Sequence, residues 1–117
     1  MKKKIKKFCF DLDGVICKTV GNDYKNSKPI KRAIAKVNFL YSKGHYIIIY
    51  TSRFMGRSKE NAKKAHKRGY KSTLTQLNSW DLKFHKLILG KPSYDIIIDD
   101  KAVGFSKNWV NKVKNFL

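Results

Sequence analysis

The acidic side chains of this chain are scarce, and half of them stand in two tight pairs. The 117 residues hold eight Asp and Glu against 27 Lys and Arg, for a formal net charge of +19. Asp11 and Asp13 form one pair, and Asp99 and Asp100 form the other. Carboxylates this close repel one another unless a cation holds them, and hard divalent cations such as Mg²⁺ prefer oxygen ligands. The two pairs therefore predict a metal-dependent active site.

Each acidic pair follows a short apolar segment that is typical of a buried strand. The first strand is predicted over residues 5–10, and another over residues 96–98. Between them, the continuous apolar run at 46–50 and the segment at 84–89 predict two further strands. Ligands of parallel α/β sheets bind beyond the carboxyl ends of the strands, so both acid pairs are expected at that edge.

Helices are predicted between these strands. Apolar residues spaced by three and four positions predict an amphipathic helix of about four turns over residues 29–44. Ser58 can cap a second helix that ends before Gly69, residues 72–80 predict a third, and Ser106 can cap the last. The element order β-α-β-α-α-β-β-α predicts one α/β domain over residues 1–117, with a three-layer architecture of a parallel sheet and helices on both faces.

The positive charge of the chain allows two interpretations. One is an anionic partner, which could be nucleic acid, an acidic membrane face or a phosphorylated substrate. The other is a general enrichment in Lys without a specific partner, and the spread of Lys along the whole chain favours it. No apolar run approaches the roughly 18 residues that a membrane span needs, and the first apolar run is too short for a signal peptide. A cytoplasmic protein without a membrane span is therefore expected.

The residues at the predicted strand ends resemble the four motifs of the haloacid dehalogenase (HAD) superfamily. The first motif is the segment Asp11-Leu12-Asp13-Gly14-Val15, and the second is Thr51 at the end of an Ile-rich strand. The third is the lysine of Gly90-Lys91-Pro92, and the fourth is the pair Asp99-Asp100. All four stand in the family's order and cover residues from about 5 to 101. The resemblance implies a Rossmann-like HAD fold and a phosphomonoester hydrolase.

The resemblance also implies a role for each motif residue. Asp11 would be the nucleophile that forms an aspartyl-phosphate intermediate, and Asp13 would be the general acid for the leaving alcohol and then the base for water. Thr51 would hydrogen-bond a phosphoryl oxygen, and Lys91 would neutralise the phosphate. The candidate substrate-binding residues are Gly14, Ser52 and Arg53. For Arg53, and for Arg57 after it, a solvated surface position is an equally good interpretation.

A magnesium ion would let the Asp11 carboxylate approach an anionic phosphate. By the resemblance, its ligands would be Asp11, the backbone carbonyl of Asp13 and an acid of the second pair. Asp100 is the predicted direct ligand, with Asp99 in support. Lys86 is a rival of the motif lysine for phosphate neutralisation, but it lies within a predicted strand and not after one.

No interval between the motifs is long enough for a separate cap domain. Residues 14–51 hold a loop and one helix, and residues 51–91 hold two helices and a strand, so an open site is expected unless a homo-oligomer covers it. Within the superfamily, the chain resembles small uncapped proteins associated with bacterial capsule or surface-polysaccharide synthesis, in residues 48–53, 75–77, 80, 89–92 and 98–102. This resemblance implies a sugar phosphate or another small phosphorylated metabolite as substrate.

Two other hypotheses stay open at this stage. The chain is also similar to the phosphatase half of polynucleotide kinase/phosphatase enzymes, which implies a nucleic-acid end as substrate. The third hypothesis is a non-catalytic, basic interaction module on a HAD scaffold. The intact set of motif residues argues against this third hypothesis.

Overall fold

A computed structural model describes residues 4–113, so residues 1–3 and 114–117 of the predicted domain lie outside it. The chain is an α/β protein in which β1 and β5 both pair in parallel with β4, giving the strand order β1-β4-β5. A separate antiparallel pair joins β2 and β3. The strands are β1 Lys7–Phe10, β2 Cys17–Lys18, β3 Lys28–Pro29, β4 Tyr46–Thr51 and β5 Lys86–Leu89. The helices are α1 Lys31–Ser42, α2 Ala62–Ser79 and α3 Trp109–Lys112.

The central strand β4 divides its side chains between two faces of the sheet. Ile47, Ile49 and Thr51 are buried, whereas the alternate positions are only half-buried. The buried face belongs to a core that also contains Val37 of α1 and Leu77 of α2. This core holds the ends of β1, β4 and β5 side by side, and those ends carry the candidate site.

The predicted helices on both faces of the sheet are not seen among residues 4–113. On the second face, Cys9 and Lys86 are exposed and Ile48, between them in register, is half-buried. The short α3 lies on the covered side, because its Trp109 ring packs 5.6 Å from the ring of the buried Phe10. The described residues therefore form one helical layer on one face.

The helix predicted over residues 29–44 is confirmed as α1. Its buried residues follow the apolar spacing of the sequence, and Pro29 precedes the first turn. None of the helices of the described part of the chain is long and apolar enough to cross a membrane.

The two helices predicted over residues 58–80 are one continuous helix, α2, and this prediction was wrong in two respects. The helix begins after Asn61, whose side chain accepts a hydrogen bond from the Lys64 N–H, and the Ser58 hydroxyl is buried without a hydrogen-bond partner within the described range. Gly69, predicted as the helix end, is buried in the middle of α2. The glycine serves close packing here, and not helix termination.

Replacing Gly69 by Ala is expected to lower the free energy of unfolding by about 1–3 kcal/mol because it overpacks the core. A Cβ at this position would overlap Cδ2 of the Phe54 ring, and this clash exceeds the gain in helix propensity of about 1 kcal/mol. Urea denaturation measures the difference. Gly56→Ala is the matched control, because its Cβ would meet nothing within 4 Å. A Gly69→Ala variant as stable as wild type would contradict this packing.

The strand predicted over residues 96–98 does not form in the described structure. Ile96, Ile97 and Ile98 are 80%, 56% and 95% exposed. A β-branched run predicts strand propensity, but a strand also needs a partner for its backbone hydrogen bonds, and β1 pairs only with β4 among the described strands. Within residues 4–113, the outer edge of β1 therefore has no strand partner.

Candidate functional site

The first acid pair lies in a tight turn that directly follows β1. The carbonyl of the fully buried Leu12 accepts hydrogen bonds from the backbone N–H groups of Ile16 and Cys17, at 2.9 and 3.3 Å. Gly14 adopts a φ of +89° with open space around it, so its backbone conformation and not packing requires glycine. This turn buries Leu12 and leaves Asp11 and Asp13 half-buried on either side of it.

Lys91 lies beside Asp11, with its Nζ 3.7 Å from Asp11 Oδ2. Two backbone N–H groups, of Gly90 and Lys91, donate to the carbonyl of Thr51 and fix the start of this segment against the end of β4. The rival Lys86 is exposed at the opposite end of β5. The motif lysine, and not Lys86, is therefore the cation that faces the predicted nucleophile.

Burial raises the pKa of the Asp11 carboxyl, and the positive charge of Lys91 offsets only part of this effect. For Lys91, burial alone would lower the pKa, but the hydroxyl of Tyr94 and the charge of Asp11 outweigh it and raise the pKa. A half-buried carboxylate with a raised pKa is poorly solvated, which makes it a better nucleophile than an exposed acid once it is ionised.

Asp13 is bound by a buried arginine. Arg53 is 2% exposed, and its Nε and Nη2 donate to the two carboxylate oxygens of Asp13 at 2.9 and 2.8 Å. The same guanidinium donates to Gln76 Oε1 at 2.6 Å and to Ser27 Oγ at 3.2 Å. Of the two interpretations that the sequence allowed for Arg53, a solvated surface position is therefore wrong.

This arrangement lowers the pKa of Asp13. Burial alone would raise the pKa, but the hydrogen bonds from Arg53 and from Thr19 Oγ1, at 2.5 Å, stabilise the charged form more strongly. Thr19 and the Gln76 that holds Arg53 were missed at the level of the sequence. Gln76 lies in a stretch that carries the family resemblance, but neither residue was given a role, because only the tertiary contacts bring them to the site.

Thr51 and Ser52 lie at the carboxyl end of β4. The register pairs Phe10 with Ile49, so Asp11 and Thr51 both follow that pair at the same edge of the sheet. Thr51 is 1% exposed, and its Oγ1 accepts a hydrogen bond from the Arg53 N–H at 3.1 Å. Its own hydroxyl hydrogen remains able to donate to a ligand. Ser52 is half-buried next to it.

The second acid pair is not brought to the first. Asp99 and Asp100 are exposed, and Asp99 Oδ1 accepts a hydrogen bond from the Lys101 N–H at 2.8 Å. Within residues 4–113, no three His, Cys, Asp or Glu side chains come close enough together to hold a metal ion. The predicted metal centre, in which an acid of the second pair joins Asp11 and the Asp13 carbonyl, is therefore not assembled in the described residues.

A cleft of about 560 Å³ is lined in part by Arg53, the residue that binds Asp13. We call it the side cleft. Its walls are the loop of residues 22–27, the turn from Arg53 to Arg57, and residues 72–79 of α2 with Trp80 after them. The site thus has two neighbouring parts: Asp11 with Lys91, and Asp13 with Arg53 and this cleft.

The chain is similar in fold to a solved structure of a structural-genomics target protein from Vibrio cholerae. The two chains are 23% identical, the match covers 96% of this chain and 98% of the other, and the TM-score is 0.79. No protein-family model matches the chain, and no curated protein matches it at a significant level. The comparison therefore supports the fold alone.

Proposed function

We propose that this chain is a phosphomonoester hydrolase of the HAD type that uses Asp11 as its nucleophile. The observation that carries the proposal is the contact of Asp11 with Lys91, at 3.7 Å, beside Thr51. A poorly solvated carboxylate and a cation distant in sequence meet there. The backbone N–H of Lys91 donates to the carbonyl of Thr51 at 3.2 Å, which puts a third residue, with a hydroxyl donor, at the same edge of the sheet. Phosphoryl transfer needs this combination of an in-line nucleophile and groups that offset phosphate charge.

The proposed reaction has two steps. An Asp11 oxygen attacks phosphorus, an acyl-phosphate bond forms, and the bond from phosphorus to the leaving alcohol breaks while Asp13 gives that alcohol a proton. Water then attacks the phosphoryl group, Asp13 takes a proton from that water, and inorganic phosphate leaves with Asp11 restored. Lys91 and the Thr51 hydroxyl offset the negative charge on the phosphoryl oxygens throughout.

The Arg53 contact bears on the acid step of this reaction. Asp13 can give up a proton only if it carries one, and its pKa is lowered in the free protein. A bound phosphate would add negative charge near Asp13, and this raises the Asp13 pKa. In this proposal, substrate binding therefore prepares the acid.

A HAD-like architecture is part of the proposal, and two features support it. The outer edge of β1 is unpaired among the described strands, and residues 96–98 are an exposed β-branched segment. Pairing of residues 96–98 with β1 would bring Asp99 and Asp100 toward Asp11.

The predicted ligand residues have the oxygen atoms that a magnesium ion needs, but the two acid pairs do not lie together in the described structure. The Asp11 carboxylate and the Asp13 backbone carbonyl offer the oxygen ligands that Mg²⁺ prefers, and the exposed Asp99 and Asp100 offer two more. When bound, the ion would neutralise charge between the nucleophile and the phosphate. We propose Mg²⁺ as the cofactor, with Asp11, Asp13 and Asp100 as ligands and Asp99 in support.

Removing Mg²⁺ with a chelator is expected to lower hydrolysis of p-nitrophenyl phosphate by at least about 100-fold, because several kcal/mol of charge stabilisation is lost. A second readout is independent of activity: adding Mg²⁺ to the free protein should slow amide hydrogen exchange at residues 96–98. The control segment is residues 20–26, which hold none of the proposed ligands. Full activity in chelator, or unchanged exchange at residues 96–98, would contradict the proposal.

The proposed substrate is a sugar phosphate or another small phosphorylated metabolite of surface-polysaccharide synthesis. A nucleic-acid end is the second candidate, favoured by the net charge of +19. A panel of phosphorylated metabolites and phosphorylated oligonucleotides, assayed with Mg²⁺, tests both. Preference for oligonucleotides, with binding that weakens steeply as salt is added, would favour the second candidate.

A further inference from the structure

The side cleft has the size and position of a binding site for the rest of a substrate. Its volume of about 560 Å³ lies within the range of small-molecule sites. Arg53 lines the cleft, and its guanidinium binds Asp13 at 2.8 Å. The cleft therefore begins one side chain away from the proposed general acid.

This inference rests on the proposed function. If the chain hydrolyses a phosphomonoester, the two parts of the site, Asp11 with Lys91 and Asp13 with Arg53, fix the direction in which that substrate lies. The phosphoryl group belongs beside Asp11 and Lys91, because one attacks it and the other offsets its charge. The leaving oxygen belongs beside Asp13, which protonates it. The leaving group that carries this oxygen therefore extends toward Arg53 and into the side cleft.

The side cleft presents two cations that are not paired with acids. Lys25 and Arg57 line it, and neither takes part in a salt bridge within residues 4–113, where the two salt bridges belong to Arg53 and Lys91. The one carboxylate in the lining is Asp23, which accepts two hydrogen bonds from the Asn26 amide. Positive charge therefore exceeds negative charge here.

Arg57 is held in place before any ligand arrives. Its guanidinium lies 5.4 Å from the ring centre of Tyr24 and 5.0 Å from that of Phe54, and one nitrogen donates to the carbonyl of Asn22 at 2.8 Å. An arginine fixed in this way loses little entropy when it binds an anion and keeps further N–H donors for it.

The opposite wall offers hydroxyl oxygens and one aromatic surface. Thr75 and Ser79 each donate their hydroxyl hydrogen to a backbone carbonyl of α2, at 2.9 and 2.6 Å, so their oxygens remain free to accept. The half-buried Trp80 adds a flat apolar surface. Hydrogen-bond acceptors beside an aromatic ring suit a ligand with several hydroxyl groups.

We propose that the side cleft binds the leaving group of the substrate, and that this leaving group is a sugar or polyol with a second anionic group. Arg57 and Lys25 bind that group, which is a carboxylate or a second phosphate. The wall formed by Thr75, Ser79 and Trp80 accepts the hydroxyl groups of the ligand.

Glucuronic acid 1-phosphate and glucose 1-phosphate test this proposal as a matched pair, because they differ only at C6, which is a carboxylate in the first and a hydroxymethyl group in the second. Wild type should prefer the acid sugar by roughly tenfold in kcat/KM, as one charge-assisted hydrogen bond predicts. Arg57→Gln and Lys25→Gln should each remove most of this preference. Lys83→Gln makes the same charge change at an exposed position beyond the amino end of β5, and should keep it. Equal loss in all three variants would overturn the proposal in favour of general charge attraction.

A binding measurement separates this inference from the proposed function. Calorimetry with the Asp11→Asn variant should give the same preference for the acid sugar phosphate without turnover. Absence of p-nitrophenyl phosphate hydrolysis in wild type would refute the proposed function. Hydrolysis without preference in either assay, or tighter binding of a phosphorylated dinucleotide, would refute the cleft proposal alone.

Discussion

Replacing Asp11 by Asn is expected to lower hydrolysis of p-nitrophenyl phosphate by at least about 10³-fold, because the amide cannot form the covalent intermediate. The variant should fold normally. Burial raises the pKa of Asp11, so the ionised carboxylate destabilises the folded state at neutral pH, and a neutral amide removes that cost. Loss of the contact with Lys91 acts in the opposite direction, and the net change in stability is therefore small.

Asp81→Asn is the matched control for this experiment. Asp81 is exposed after the carboxyl end of α2 and has a φ of +56°, a conformation that Asn also tolerates. The activity of the Asp81→Asn variant should stay within about twofold of wild type. Steady-state kinetics and urea denaturation of both variants make the comparison. Undiminished turnover by Asp11→Asn would remove Asp11 as the nucleophile.

Replacing Arg53 by Met should lower the free energy of unfolding by about 3 kcal/mol at pH 7, since it leaves a partly buried carboxylate without its partner. Asp13 is 27% exposed, so solvent keeps the loss near the lower end of the range for buried pairs. Gln76 Oε1 and Ser27 Oγ also lose the hydrogen bonds that the Arg53 guanidinium donates to them. Arg68→Met, at an exposed position, is the control and should change stability by less than about 0.5 kcal/mol.

The effect of Arg53→Met should depend on pH with a defined sign. The folded-state pKa of Asp13 lies below the unfolded value of about 3.9, so its contribution to stability is present above that value and is lost as pH falls through the folded-state pKa. The difference between variant and wild type should therefore shrink as pH falls below about 4. It should also shrink in an Asp13→Asn background. A difference that stays constant in both experiments would show that Arg53 acts by packing alone.

Local patterns in the sequence were sufficient to predict much of the α/β framework. The apolar run at 46–50 forms β4, the segment at 84–89 contains β5, and the spacing of residues 29–44 forms α1. Each of these elements is defined by apolar side chains only a few positions apart, so the spacing of those residues in the sequence is enough to predict it. The lysine chosen after a strand, Lys91, is also the one beside Asp11.

Helix boundaries were predicted less well, because competing local signals needed tertiary contacts to decide between them. A glycine such as Gly69 can end a helix or can make room for a neighbouring side chain. The ring of Phe54 packs against Gly69, so this glycine makes room for a neighbour. Ser58 and Asn61 could both cap α2, and only Asn61 accepts the hydrogen bond.

The sequence by itself determined the chemistry available to this protein: scarce carboxylates, a hydroxyl and a lysine at the ends of apolar segments. Only the tertiary structure decided which of these groups meet. Asp13 and Arg53 lie 40 residues apart and pair because β1 and β4 are neighbours in the sheet, a contact that no local period encodes. Residues 96–98 have the composition of a strand and remain exposed, because a strand is defined by its partner as well as by its own side chains.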